Sequence, residues 1–464
     1  MPKNKIHFEI SERKMILHLI DVFCVVTSLY TVGTFFDLEY LKSSVSNFTY
    51  LIVLLFYLKV IGTIFELYNL QISSNEFLVT RSCILTVITT VLAYFLTPIY
   101  APQLPPNRLQ IFTFLVVVFF SLVLWRVFYV RFLASNRFHQ NALLVCEEEQ
   151  LGELISGLAN IDPHYKIIAY VNDSKQEIVQ NLFYSNIERV SSVDLVNYVK
   201  EKHITEIVVA SQKTKSITSE LYQQLLKLLE SGKVIREYSQ VYEAKTQRIP
   251  VQYVARDFYR FFPFSRSNQN RLYLFIVRIL EVLLSIIGLL FTLLLIPIIF
   301  LGNSIANKGS LFYTQERVGK DGVVFKILKF RTMIENAELE NAVFAKAKDN
   351  RVTAFGKFMR KTRLDEFPQF MNILKGEMAV IGPRPERPFF VKEIAERMPF
   401  YETRHIIKPG LTGWAQVNYS YGESIEESLI KLQYDLYYIK HRSFYLDFSI
   451  TLKTIMTILF YRGQ

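Results

Sequence analysis

The chain has 464 residues, which at ~150 residues per domain sets a prior of about three domains. Hydrophobic residues make up 51% and charged residues 20%, while 17 Gly, 15 Pro and 3 Cys exclude collagen-like, disordered and disulfide-stapled classes. A mean hydropathy of +0.21 over this length makes a membrane the solvent for part of the chain. The formal charge of +11 calls for an acidic partner: nucleic acid, an anionic leaflet or a phosphorylated substrate.

Four apolar runs open the chain: Met15 to Phe36, Phe48 to Phe65 with Lys59 inside, Cys83 to Ile99, and Ile111 to Tyr129. Each is long enough, or nearly so, to cross ~30 Å of hydrocarbon. The first has no small-residue cleavage site after a short core and reads as a retained span. Lys3, Lys5, Arg13 and Lys14 precede the first run, and Arg126, Arg131 and Arg137 follow the fourth. The positive-inside rule therefore puts both ends of the unit in the cytoplasm. The cysteines carry no metal-ligand or disulfide pattern and read as small buried residues.

From about Phe138 the pattern changes to strands at Ala142–Cys146, Ile167–Val171, Ile207–Ala210 and from Val234, with helices at Leu151–Leu158 and about Ser219–Ser231. Alternation of this kind predicts a small doubly wound parallel sheet. The first strand is followed by Glu147-Glu-Glu149 where a dinucleotide site would need glycines, so the domain reads as structural or regulatory.

A fifth apolar stretch, Leu272 to Leu301, contains Arg278 and Glu281 one turn apart and Pro297 near its end. Periodicity alone leaves two topologies, a plain fifth span or a segment that enters the bilayer and returns. Parity favours return, because a crossing would carry the last block away from cytoplasmic activated phosphates.

That last block carries the chemistry. In Lys361-Thr-Arg-Leu-Asp-Glu-Phe-Pro-Gln-Phe370, Pro368 is expected to open a helix, placing Asp365 and Glu366 at or just before its N-terminus. Adjacent carboxylates point apart, so one can hold a metal while the other faces a reacting phosphorus. An ordinary acidic N-cap pair is the plainer alternative. Lys326, Lys329 and Arg331 are expected on a loop or strand end. Arg384 and Arg387 sit in a turn stiffened by three prolines, which suits guanidinium groups that meet phosphate oxygens in a set geometry. Asp435, on a helix, is placed to orient a lysine or arginine of the pocket. Trp414, His405 and His441 read mainly as packing residues. Ala354 to Thr362 and Phe444 to Tyr461 fit either interfacial or core helices.

The ordered segments Gln315-Glu-Arg-Val-Gly-Lys-Asp-Gly322, Lys329-Phe-Arg-Thr-Met333, Leu364-Asp-Glu-Phe-Pro-Gln369, Gly382-Pro-Arg-Pro-Glu386 and Leu411-Thr-Gly-Trp-Ala-Gln-Val417 resemble the bacterial sugar transferases. These are polyprenyl-phosphate hexose-1-phosphate transferases, and the resemblance runs from about Leu272 to the C-terminus. It implies transfer of a sugar-1-phosphate from a UDP-sugar to undecaprenyl phosphate, releasing UMP, with Mg2+ as cofactor. It also implies Asp365 as nucleophile, forming a phosphosugar-enzyme intermediate, and Glu366 as metal ligand. Lys329, Arg331, Arg384, Glu386, Arg387 and Asp435 complete the candidate substrate-binding set. The family's re-entrant helix bends at a Ser-Pro pair, whereas this chain has Ile296-Pro297.

The resulting expectation is a four-helix transmembrane unit (1–136), a Rossmann-like, CoA-binding-like domain (137–262), and a re-entrant-helix monotopic α/β catalytic domain (263–464). The resemblance implies a multi-pass protein of the bacterial inner membrane, its catalytic domain on the cytoplasmic face and in contact with the lipid bilayer. It further implies a role in starting exopolysaccharide, capsule or O-antigen synthesis. The large aromatic surface is compatible with a homodimer. No nucleic-acid motif is present. Two rivals remain: a membrane-bound nucleotide-sugar dehydratase, which would need a second glycine-rich fingerprint after Leu301, and a non-catalytic polymerisation scaffold.

Overall fold

The computed structural model describes residues 10–69, 72–74, 76–134, 140–158, 165–172, 187–210, 217–251, 268, 270–306, 309–334, 351–398, 400–419 and 425–459. Lys3, Lys5 and Arg137, and the domain limits expected at 136–137 and 262–263, lie outside these residues. The chain divides into two compact units, Met1–Thr246 and Gln247–Gln464.

In the first unit, helices Ile10–Phe35, Glu76–Phe95 and Arg108–Phe128 are long and apolar, as the hydropathy runs require. The second expected run is the single helix Phe48–Ile64, which a short helix, Glu39–Ser46, precedes at an angle of 89°. Asn47 makes the corner: it is extended, and its side chain accepts from the Thr49 N–H to open the second helix. Leu17, Leu29, Leu54, Leu58, Val87, Phe114 and Leu122 form the common core. Two residues counted from sequence as flanking charges are instead buried. Arg13 is 1% exposed, and Arg126 is enclosed and forms a two-point pair with Asp21 at 3.0 and 2.5 Å. Apolar surroundings force the pairing, because a lone buried charge is far more costly than a matched one.

The same unit carries strands β1 (Gln140–Val145), β2 (Tyr165–Val171), β3 (Glu188–Val190), β4 (Glu206–Val209) and β5 (Val234–Glu237). They form one parallel sheet in the order β3-β2-β1-β4-β5, the doubly wound arrangement expected. Helices Glu148–Leu158, Leu195–Glu201, Ser219–Glu230 and Tyr238–Thr246 accompany it. Strand β3 and helix Leu195–Glu201 escape the sequence reading, since three residues with two exposed offer no apolar run. No disulfide joins Cys24, Cys83 or Cys146.

The second unit is built on a single helix, Arg271–Ala306, which continues through Pro297. Its buried residues Tyr273, Glu281, Ser285, Gly288, Thr292, Ile299 and Asn303 recur at helical spacing and form one stripe. Other faces expose Leu272, Phe275, Leu283, Ile287, Leu294 and Ile298. Along the stripe, Phe370 packs where a Cβ on Gly288 would lie 2.4 Å from its ring, and Phe355 does the same at Gly302. Strands β6 (Phe312–Val318) and β7 (Val324–Phe330) form an antiparallel hairpin closed by Asp321 and Gly322, both at positive φ. The residues around Lys326 and Lys329 thus lie within a strand rather than a loop or strand end: Phe325 and Ile327 face inward and Lys326 outward. Strands β8 (Ala379–Ile381) and β9 (Gly410–Thr412) pair in parallel. Helices Pro388–Arg397, Ile425–His441 and Phe444–Leu459 close the core around Phe390, Trp414, Leu436 and Ile450. The last helix has a buried and an exposed side, since Ile450 is buried while Tyr445 is 83% exposed.

Because Gly288 leaves no room beside Phe370, Gly288→Leu should cost about 1–3 kcal/mol through overpacking. Thermal unfolding of the detergent-solubilised protein is the measurement, with an earlier transition expected.

Candidate active site

Helix Ala354–Lys361 is capped by Thr353, whose side chain accepts from the Gly356 N–H. It ends at Arg363, which turns the chain through the left-handed region at φ 59°. A 3₁₀ helix, Leu364–Gln369, follows and passes into the α-helix Phe370–Lys375. Asp365 and Glu366 therefore occupy the first turn of a tight helix, at its N-terminus as expected, and Pro368 lies inside that helix rather than opening it. Phe367 anchors this turn, its ring 5.2 Å from Phe291 and 5.8 Å from Phe370.

Asn372 sets the distance to the hairpin. Its Oδ1 accepts from the Leu328 N–H at 3.0 Å and its Nδ2 donates to the Lys326 carbonyl at 2.8 Å. Lys329 Nζ is thereby brought to 3.0 Å from Glu366 Oε1. The long helix braces the other end: Arg278 donates to the Ile373 and Leu374 carbonyls, each at 2.7 Å. Arg278 also lies 3.6 Å from Glu281, the one-turn pair expected. Gly376 at φ 86° ends the helix in the left-handed conformation glycine favours.

Arg384 also donates to Glu366 Oε1 at 3.0 Å, and Arg363 lies 3.6 Å from Oε2. Burial alone would raise the Glu366 pKa, but Lys329, Arg384 and Arg363 outweigh it and hold this carboxyl well below the usual range. Asp365 moves the other way. Burial and the neighbouring Glu366 charge push it up to about 6, against Lys329, Arg360 and Arg363. Its Oδ1 is enclosed and accepts no hydrogen bond from the described residues. One carboxylate is thus fixed by cations, and the other is left poised with an unused oxygen.

The proline-rich turn is held from two sides. Arg317 donates to the Pro385 carbonyl at 3.0 Å and lies 3.5 Å from Glu386, while the Val318 N–H donates to the Glu386 carbonyl. From behind, Arg404 donates to the Arg384 carbonyl at 2.9 Å and to Asp435 at 2.7 Å. Arg404 is in addition bonded to the Tyr401 hydroxyl at 2.6 Å. Where β8 and β9 meet, a Cβ on Gly410 would fall 2.1 Å from the Gly382 N, so only glycine permits that approach.

Of the sequence candidates, the structure gathers Glu366, Lys329 and Arg384, with Asp365 adjacent in the turn and Asp435 one layer behind through Arg404. Glu386 faces Arg317. Arg387 precedes helix Pro388–Arg397 with its guanidinium 5.9 Å from the Phe390 ring. Arg331 is not brought to the dyad; it donates to the Ser310 carbonyl at 3.0 Å and hydroxyl at 2.7 Å. Trp414 packs, donating to the Gln247 carbonyl, and His405 and His441 lie against Tyr401 and Tyr437. Sequence reasoning passed over Arg317, Arg363, Asn372 and Arg404. Arg317 stood inside a quoted motif, whereas Arg404 gave no signal until the fold set it beside Asp435.

Residues 272–461 match the family model described as bacterial sugar transferase, and residues 64–227 match one described as CoA-binding domain. A protein of Caulobacter vibrioides named UDP-glucose:undecaprenyl-phosphate glucose-1-phosphate transferase is 34% identical over 39% of this chain and 69% of its own length. The chain belongs to the bacterial sugar transferase family. An Aeromonas hydrophila member, named UDP-N-acetylgalactosamine-undecaprenyl-phosphate N-acetylgalactosaminephosphotransferase, is 45% identical over 40% of this chain but only 44% of its own length. An Escherichia coli member named as a UDP-glucose:undecaprenyl-phosphate glucose-1-phosphate transferase is 37% identical over 37% of this chain and 38% of its own. The matched region thus spans less than half of two of these sugar transferases.

Asp435→Asn leaves the Arg404 guanidinium buried beside a neutral amide, and a broken buried pair costs about 3–5 kcal/mol. Chemical denaturation should show that loss, together with reduced activity as the Arg384 turn loosens.

Proposed function

We propose that this chain moves a sugar-1-phosphate from a UDP-sugar to undecaprenyl phosphate, releasing UMP, through a phosphosugar ester on Asp365. The observation that carries the mechanism is the division of labour in the dyad: Glu366 is bound by cations, and Asp365 keeps a buried oxygen without a partner among the described residues. An Asp365 oxygen attacks the phosphorus nearest the sugar, and the bond from that phosphorus to the UMP oxygen breaks. UMP leaves with the electron pair, facing Lys329 and Arg384. An oxygen of the lipid phosphate then attacks the same phosphorus, the aspartyl bond breaks, and the carboxylate is restored. Two steps let a water-soluble donor and a bilayer-bound acceptor use one pocket in turn.

Mg2+ fits this donor set as an ion delivered with the donor. Among the described residues no three His, Cys, Asp or Glu side chains gather into a complete cage. A hard cation that keeps its waters needs only a carboxylate or two plus phosphate oxygens. Glu366 Oε2, less engaged than Oε1, is the ligand this chain offers, and the unused Asp365 oxygen stays with the reacting phosphorus. When bound, the ion would neutralise charge on the leaving phosphate.

The long helix sits in the membrane as a re-entrant element, which keeps the catalytic unit on the cytoplasmic face of the inner membrane. Its buried stripe supports this, since it runs from Tyr273 to Asn303 against one and the same unit while the other faces stay apolar and exposed. A helix that crossed would leave that unit behind after its first turns. The reading assigns the chain a membrane step early in building a surface glycan, and it rests on phosphate chemistry rather than on a particular sugar.

Asp365→Asn should lower UMP release from UDP-N-acetylgalactosamine or UDP-glucose by at least ~10²-fold, as expected for loss of a nucleophile. Labelled sugar should be trapped on wild-type protein without lipid; active protein that traps none would favour direct attack by the lipid phosphate. Because the attacking form is deprotonated and its pKa lies at about 6, the rate should fall as pH drops through that value.

Topology has its own measurement. In a cysteine-free background, Arg271→Cys and Ser304→Cys should both react with an impermeant maleimide from the cytoplasmic side. Labelling from opposite sides would establish a full crossing.

A further inference from the structure

The pocket beside Glu366 contains more hydrogen-bond donors than the described residues satisfy. Its walls include Arg317, Lys329, Gln369, Arg384, Pro385 and Gly410. Gln369 is 3% exposed, and its Nε2 is enclosed without an acceptor among those residues. The Nε of Arg317 is enclosed and unmatched in the same way, although its other two nitrogens are taken by the Pro385 carbonyl at 3.0 Å and Gln315 Oε1 at 2.6 Å.

Buried donors are almost always paired, and leaving one unpaired costs stability that a purely structural residue has no reason to give up. Two such donors in the walls of one small pocket point to a ligand with several acceptor oxygens. The charge balance names its sign. Burial, with Arg384 and Arg387 nearby, pushes the Arg317 guanidinium below its usual range against the opposing Glu386. The ligand is therefore an anion, and a tetrahedral oxyanion offers acceptors in several directions at once.

We propose that Gln369 and Arg317 complete, with Lys329 and Arg384, a phosphate cradle that holds the phosphate ester on which the dyad acts. This inference rests on the phosphoryl-transfer reading above and adds to it two binding residues. It also explains the final glutamine of the Asp365-Glu-Phe-Pro-Gln369 segment, whose carboxamide donates to a phosphate oxygen. Arg317 does two things at once, fixing the proline-rich turn through the Pro385 carbonyl and offering its Nε–H to the ligand. Two phosphate esters visit the site in the proposed cycle, the nucleotide that departs and the lipid that arrives, and the chemistry of the cradle suits either.

The test uses the full chain in detergent or nanodiscs, comparing wild type with Gln369→Leu, Gln369→Glu and Arg317→Lys. Four quantities are read: the unfolding temperature, the affinity for UMP by calorimetry without lipid, the KM for UDP-sugar and the KM for undecaprenyl phosphate. Gln369→Leu removes a donor that the described residues leave unmatched, so its unfolding temperature should hold or rise. Its UMP affinity should fall about tenfold or more, the scale of a hydrogen bond to a charged group. Gln369→Glu should bind more weakly still, because a carboxylate then faces the phosphate, and Arg317→Lys should weaken binding without the like-charge effect. A rise confined to the undecaprenyl phosphate KM, with UMP binding intact, would assign the cradle to the lipid phosphate. If wild type turns over while Gln369→Leu matches it in UMP affinity and both KM values, the cradle is overturned and the transfer reaction stands. A wild type that neither binds UMP nor turns over with either UDP-sugar would instead overturn the underlying reading.

Discussion

The arrangement depends on an unequal sharing of charge between two neighbouring carboxylates. Lys329 and Arg384 converge on one oxygen of Glu366, both at 3.0 Å. Asp365, buried next to that settled negative charge, is denied the same relief. Two adjacent acids in water would behave alike; here enclosure and the placement of two cations hold one as a fixed anion and raise the pKa of the other. Remove either cation and the difference between the two acids shrinks.

Keeping those cations in place is the work of the surrounding layers. Asn372 ties the helix after the dyad to the edge of β7 and so delivers Lys329. Arg404, held by Asp435 and Tyr401, grips the backbone of Arg384 rather than its side chain, leaving that guanidinium to serve Glu366. Arg278, on the long helix, takes the last carbonyls of Phe370–Lys375. The reactive turn is therefore fastened to a strand, to a buried ion pair and to the apolar helix at once, which is the preorganisation that phosphoryl chemistry rewards.

Much of this was legible in the residues, because it was written in local patterns. Apolar runs located the long helices, β1, β2, β4 and β5 followed from short aliphatic stretches between polar breaks, and the adjacent acids and proline-flanked arginine marked the site. What stayed hidden depends on contacts distant in sequence. Arg126 looked like a flanking charge until the fold set Asp21 beside it. Arg404 looked ordinary until it lay between Asp435 and the Arg384 carbonyl. Arg331 had the right type and spacing, yet its strand end turns it to Ser310. The short helix Glu39–Ser46 and the corner at Asn47 stayed hidden too, since they lie ahead of the apolar run that opens at Phe48 and carry no such run of their own.

The stripe from Tyr273 to Asn303 has one more implication. Anchor and enzyme share side chains along that whole length, with Phe370 seated on Gly288 and Phe355 on Gly302. Cutting the helix away to obtain a water-soluble fragment would uncover an aromatic furrow and strip the dyad's own helix of its end cap. For this unit solubility and integrity are therefore opposed, and its long apolar helix is better regarded as part of the unit's own core than as a tether.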